Sequence, residues 1–120
     1  MNKVVPVLYT EKLKESVDFY CEILGFHCEG FEVEYGWAKI NKNGAEIMFS
    51  LPNEHLQFVK PIFTGSIYIK VNEIDSFWNT VKESVEVSYP LESFEYGMKE
   101  FGIYDNNKYL IQIGEEINEQ

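Results

Sequence analysis

The tripeptide Glu34-Tyr35-Gly36 returns as Glu95-Tyr96-Gly97, 61 positions further on (95 minus 34), and the apolar positions before it return with it. At the same spacing Leu8 falls on Ile69, Leu13 on Ile74, Val17 on Trp78 and Phe26 on Val87. Beyond the glycine the spacing widens to 64, so that Met48 falls on Gln112, as a three-residue insertion in the second copy would produce. A chain of 120 residues has room for one domain of ordinary size. The duplication therefore reads as a single domain, 1–120, made of two copies of one small unit, at about residues 1–50 and 66–114 with a connector at 51–65.

Each copy shows the same order of periodicities. Val4 to Tyr9 is apolar and rich in β-branched residues, as a strand requires. From Glu11 the period lengthens: Leu13, Val17, Tyr20, Cys21 and Leu24 share one helical face, with Lys14, Glu15, Asp18 and Glu22 opposite. Gly25 ends this helix, since glycine enters the left-handed region without steric cost. Strands follow at 26–34, 36–41 and 45–50, the last two joined through Asn43-Gly44, a strong hairpin signal. After the connector the pattern repeats. A strand spans 66–71, and Asn72 stands as the helix N-cap. Ile74, Phe77, Trp78, Val81 and Val85 then take helical spacing. Strands follow at 85–89, 99–104 and 109–113, with the last hairpin turn at 105–108. The fold class expected is α+β: duplicated βαβββ units whose curved mixed sheets form a ligand cleft.

A short amphipathic helix is not stable alone, so each helix must cover one face of its sheet. Period two assigns that face Phe26, Cys28, Ala38, Ile40, Ile47, Phe49, Ile67, Ile69, Val71, Ile111 and Ile113. The other face then carries Val5, Val7, His27, Glu29, Trp37, Lys39, Glu46, Met48, Ser66, Tyr68, Lys70, Glu100, Leu110 and Gln112. Aromatics, amides and charges mixed in this way suit a ligand surface better than a dry core.

Charge narrows the partner. The chain carries 20 Asp+Glu against 10 Lys+Arg, a net charge of −10, and has no arginine. Nucleic-acid binding needs cations to neutralise phosphate, and arginine is its commonest reader, so no nucleic-acid partner is expected. No apolar run is long enough to span a membrane, and no basic-then-apolar leader opens the sequence, so a cytoplasmic location and no membrane partner are expected. Cys21 and Cys28 match no zinc or redox spacing and read as reduced, inert thiols. His27 lies beside Glu29 on one strand, where a base with an orienting carboxylate is conceivable and a solvent-edge histidine is the plainer reading.

Two segments carry a family likeness. The first runs Val7-Leu8-Tyr9, Leu13, Ser16, Phe19-Tyr20 and Leu24-Gly25-Phe26; the second runs Tyr96 to Phe101, then Ile103, Asp105, Leu110 and Gly114. Together they resemble the vicinal oxygen chelate superfamily of glyoxalases, extradiol dioxygenases and bleomycin-resistance proteins, and the second leans to the bleomycin-resistance branch. Asn106-Asn107-Lys108 and Lys99 depart from that branch's Pro-Asp-Gly and Arg.

The resemblance implies metal ligands at four positions, which here are Val5, Met48, Ser66 and Gln112. Divalent ions of the kind those enzymes use want imidazole or carboxylate, so no metal and no other cofactor is expected. The branch's non-metal members imply a small-molecule binding protein that sequesters a cationic or aromatic drug or metabolite, a role in antibiotic resistance included. Trp37 and Tyr68 would be platforms, Phe58 and Tyr96 would close over them, Glu46 and Glu100 would meet a cation, and Gln112 would offer an amide. Met48 lines the same face. The alternative is a glyoxalase- or dioxygenase-like enzyme with displaced metal ligands. The family often joins units from different chains, so a homodimer is expected as well.

Overall fold

The computed structural model describes residues 3–52, 60–62 and 65–117. The chain divides into two compact units, Met1–Pro61 and Ile62–Gln120.

In the first unit, strand β1 (Val7–Tyr9) leads into helix α1 (Leu13–Asp18), which continues as a π-helical turn over Phe19–Ile23. Strands β2 (His27–Glu32), β3 (Trp37–Lys42) and β4 (Ala45–Ser50) follow. In the second unit the order repeats as β5 (Ile67–Lys70), α2 (Ile74–Val81), β6 (Glu86–Ser93), β7 (Met98–Tyr104) and β8 (Leu110–Glu116). The sheets are β1-β4-β3-β2 and β5-β8-β7-β6. In each, the first and last strands of the unit pair in parallel and the hairpins pair antiparallel. The duplication is thus an α+β repeat with one topology used twice.

The helix-facing residues make each core. Leu13, Val17, Tyr20 and Leu24 are buried with Phe26, Ala38, Ile40, Ile47 and Phe49, and the Tyr20 ring stands edge-on to Phe49 at 5.1 Å. In the second unit Ile74 and Val81 are buried with Phe101, Ile103, Ile111 and Ile113, and Trp78 lies 4.8 Å from Phe101. Among the described residues no helix is long and apolar enough to cross a membrane.

Register locates the insertion. Trp37 pairs with Ser50 and Glu100 with Gly114, so these positions correspond. The second copy gains residues just after Gly97 and one more in the β7–β8 turn, where Lys42 and Ala45 pair across two residues but the corresponding Asp105 and Tyr109 flank three. Asp105 organises that turn by accepting from the amides of Asn107 and Tyr109 at 2.8 and 2.9 Å.

Three local expectations change. The α2 N-cap is Glu73, at φ +58°, rather than Asn72. Its first amides are satisfied from across the unit: Glu115 on β8 accepts from Glu73 N–H at 2.9 Å and Ile74 N–H at 3.2 Å. The helix ends at Val81, so Val85 is not on it. Strand β6 runs on to Ser93 instead of stopping at residue 89, with register irregularities on both sides of Tyr89 that accommodate Pro90, which has no N–H to donate.

Candidate functional site

On the sheet face that α2 leaves open, β-register sets Tyr68, Gln112, Gly102 and Tyr89 in one row across β5, β8, β7 and β6. The next row is Lys70, Gly114, Glu100 and Glu92. Two glycines make room for the rings. A Cβ at Gly102 would stand 2.3 Å from Tyr89 Cε1, and one at Gly114 would stand 2.0 Å from the Tyr68 hydroxyl. Both tyrosines therefore lie flat across the sheet rather than standing off it.

These rings converge on Glu100, which is only 2% exposed. Tyr89 donates its hydroxyl to Oε2 at 2.5 Å, and Tyr96 donates to Oε1. Tyr68 is also within reach of this carboxylate. Gln112 Nε2 donates to the Tyr89 oxygen at 2.9 Å, while Gln112 Oε1 accepts from the Ser66 hydroxyl. The amide is thereby fixed in one orientation. Tyr96 reaches Glu100 from the β6–β7 turn, where Gly97 at φ +87° reverses the chain.

The nearby lysines are engaged elsewhere. Lys99 pairs with Asp75 at 2.6 Å, Lys70 with Glu116 at 3.2 Å, and Lys108 with Glu86. Among the described residues none pairs with Glu100. Its compensation comes from hydroxyl donors, which stabilise a buried carboxylate without cancelling its charge. The same bonds keep the tyrosines protonated. Burial, then the bond to Glu100, pushes Tyr89 well above its ordinary value. The bond to Glu100, then burial, pushes Tyr96 up to about 12. Burial, then the Glu100 charge, raises Tyr68.

Tyr89, Glu92, Phe94, Tyr96 and Gln112 border a pocket of about 330 Å³. Phe94 and Tyr96 stack at 5.3 Å with planes 9° apart, and Tyr89 meets Phe94 edge-on at 6.1 Å. An aromatic wall with an oriented amide and carboxylates is suited to a small organic ligand.

The first unit builds its open face differently. The corresponding row is Val7, Met48, Lys39 and Gly30. The Trp37 ring lies over Gly30, where a Cβ would be 3.1 Å from Cη2. Lys39 bonds Glu29 at 3.2 Å and Glu46 at 2.5 Å, and Lys3 also pairs with Glu46. The two lysines hold the Glu46 carboxyl below its ordinary range. Glu46 is therefore already neutralised from within its unit, whereas Glu100 is not.

Of the residues singled out by sequence, Tyr68, Tyr96, Glu100 and Gln112 come together in the second unit. Trp37, Glu46 and Met48 share the open face of the first, and Phe58 lies outside the described residues, as does His55. His27 is exposed on β2. Burial raises the Cys21 thiol, in keeping with an unreactive side chain. Sequence reasoning missed Tyr89, Glu92 and Phe94, and set Ser66 on the open face and among the metal positions without seeing its bond to Gln112. The available signal was Gly102, a glycine inside a strand whose other residues all carry large side chains.

The family's metal positions do not fit an ion. Val5 has no donor atom, and Met48 offers only a thioether. The Ser66 hydroxyl and both ends of the Gln112 amide are used by each other and by Tyr89. Among the described residues no cluster of three or more His, Cys, Asp or Glu side chains could hold a metal.

The raised tyrosines give a pH prediction. An ordinary tyrosine ionises at 10.0, Tyr96 at about 12. Between these values the unfolded chain has released a proton that the folded chain keeps, so stability falls as pH rises. The Tyr96 contribution is complete below pH 10 and is gone once the pH passes about 12. Alkaline titration followed by tyrosinate absorbance should show Tyr89 and Tyr96 lagging among the eight tyrosines. Tyr96→Phe should remove one late-titrating group and flatten the loss of stability above pH 10. An unchanged late fraction would contradict the Tyr96–Glu100 bond.

Residues 2–113 match the family model described as the Glyoxalase/Bleomycin resistance protein/Dioxygenase superfamily. No curated protein matches the sequence. Among solved structures, the chain resembles TioX from Micromonospora sp. ML1, with TM-score 0.80 and 14% identity over 98% of this chain and 100% of that one. It also resembles a glyoxalase/bleomycin resistance protein/dioxygenase from Nocardioides, with TM-score 0.77 and 14% identity over 98% and 84% of the two chains. A third likeness is to a lactoylglutathione lyase from Agrobacterium tumefaciens, with TM-score 0.74 and 13% identity over 96% and 94%. At these identities the likeness is one of fold.

Proposed function

Because this chain belongs to the glyoxalase/bleomycin resistance protein/dioxygenase superfamily, we propose that it uses the fold as a binding protein of the bleomycin-resistance type. It sequesters a cationic or aromatic drug or metabolite without metal chemistry. The observation that carries this reading is the buried Glu100, held by tyrosine hydroxyls beside an aromatic pocket and paired with no lysine among the described residues. The donor set at Val5, Met48, Ser66 and Gln112 supports the absence of a metal step. A thermal-shift screen with divalent ions and elemental analysis of the purified protein test this. No stoichiometric ion and no metal-induced rise in Tm are expected; either one would favour a metal-dependent lyase or dioxygenase.

Trp37 is a platform on the first unit's own open sheet face in this reading, since its ring lies across Gly30. Trp37→Ala is expected to weaken ligand binding by about 1–3 kcal/mol. Unchanged affinity in a folded variant would remove Trp37 from the site.

The chain also acts as a homodimer in this proposal. Strand β1 is an edge strand of three residues whose Val7 is exposed, as is Val4 just before it. An apolar edge left bare invites uncontrolled pairing, and two-fold closure is the commonest remedy. Sedimentation at micromolar concentration should give a species of twice the 14.1 kDa chain mass. A single species at the chain mass would refute the dimer. The two free, half-buried cysteines suit a reducing, cytoplasmic setting.

A further inference from the structure

Two carboxylates face each other across the β6–β7 ladder on the open face: Glu92 pairs in register with Glu100. Like charges placed directly opposite repel. Neither has a lysine partner among the described residues, and Glu92 borders the pocket whose aromatic wall is Phe94 and Tyr96. Glu46, a carboxylate on the open face of the first unit, does have two lysine partners, so the two units treat their carboxylates differently.

The group that covers Glu100 is itself unusual in its exposure. Tyr96 is 67% exposed, yet its hydroxyl bonds a carboxylate that is 2% exposed. Its side chain thus links solvent to the buried oxygen, and a competing donor could take its place at little cost in packing. Tyr89 cannot yield in the same way, because it is locked between Gly102, Gln112 and Glu100.

Resting on the binding reading above, we infer that Glu100 is the recognition group for a protonated primary or secondary amine carried on an aromatic ligand, and that the amine N–H displaces the Tyr96 hydroxyl from Oε1. The charge of the amine settles between Glu92 and Glu100. Its ring lies against Phe94 and the released Tyr96, where stacking and cation–π attraction add to the ion pair. An N–H donor is required because the site offers a carboxylate lone pair already shaped for a donor. A quaternary ammonium has none to give. A neutral alcohol can donate but does not relieve the repulsion between the two carboxylates.

Calorimetric titration with phenethylammonium, its trimethylated quaternary analogue and phenethyl alcohol tests this on the full chain. Phenethylammonium should bind at least about tenfold more tightly than either analogue, as expected for a charge-assisted hydrogen bond. Glu100→Gln should weaken phenethylammonium at least about tenfold and leave the alcohol unchanged. Tyr96→Phe should tighten it by about three- to tenfold, because the ring remains while the competing hydroxyl is gone. If Glu100→Gln does not fold, the three-ligand comparison on the unaltered chain and Tyr96→Phe still decide the matter. Equal binding of the amine and the alcohol, or weaker binding to Tyr96→Phe, overturns the inference. So does a chain that binds none of the three probes. If a broader set of compounds then yields a non-basic ligand in the same pocket, the amine is refuted while the binding reading stands.

Discussion

Gly102→Ala is expected to lower folding stability by about 2–3 kcal/mol and to abolish ligand binding in the second unit. The added methyl would stand 2.3 Å from Tyr89 Cε1 and 2.7 Å from Cδ1, so the ring itself must leave. Gly102 has no left-handed φ, so alanine brings no backbone strain and the effect is steric. Once the ring swings off the sheet, Glu100 loses the Tyr89 hydroxyl and Gln112 loses the acceptor for its amide. A buried carboxylate short of a donor is costly, which adds to the overpacking. A double-mutant cycle isolates the cause: Tyr89→Ala with Gly102→Ala should cost no more than Tyr89→Ala alone. Additive losses would show that the glycine matters for some reason other than the ring.

Phe101→Ala is expected to cost about 3–5 kcal/mol, the largest single loss in the second unit. Phe101 is fully buried on the helix-facing side of β7, with Trp78 at 4.8 Å and Phe77 at 6.1 Å from its ring. Truncation leaves a void between sheet and helix that Trp78 cannot fill without leaving its rotamer. Because Glu100 is the adjacent residue on the opposite face, any shift of β7 also disturbs the pocket. Urea unfolding in a Trp37→Phe background, with Trp78 as the only indole, measures the change directly. A loss below about 1 kcal/mol would mean that α2 does not depend on this contact.

The residues that made the architecture legible are those whose period is enforced by burial. Ala38, Ile40, Ile47, Phe49, Ile111 and Ile113 alternate because one sheet face is covered, and all six are buried. The Asn43-Gly44 turn carries its own conformational signature, with φ +49° and +93° at the two residues. Where neighbours far along the chain decide, local pattern failed. The cap of α2 comes from Glu115, which no inspection of residues 72–75 could indicate. The π-helical turn after α1 is local, closed by a bond from Leu24 N–H to Phe19 O, but its apolar period is that of an ordinary helix. The extension of β6 past Pro90 to Ser93 brings Glu92 and Phe94 to the pocket, and the bulged pairing with β7 that permits it has no signature in the local sequence.

The candidate site was half legible for the same reason. Tyr68, Glu100 and Gln112 follow from period two on strands β5, β7 and β8, although β8 runs on to Glu116 rather than stopping at residue 113. Tyr89 and the proximity of Tyr96 to Glu100 depend on the bulged pairing of β6 with β7 and on the turn at Gly97, neither of which has a period. Glu46 and Glu100 read alike in sequence, as carboxylates on the polar face, although they are not equivalent positions of the repeat. Only the placement of Lys3 and Lys39 separates them, leaving one carboxylate neutralised and the other without a cation.

Native mass spectrometry of the intact chain against a set of aromatic amines and their neutral analogues, with divalent ions removed by a chelator, separates a metal-free binding protein from a metal-dependent enzyme. An adduct of one ligand per chain should form, persist under chelation and disappear in Gly102→Ala. An adduct, or turnover, that forms only with a stoichiometric divalent ion would contradict metal-free binding.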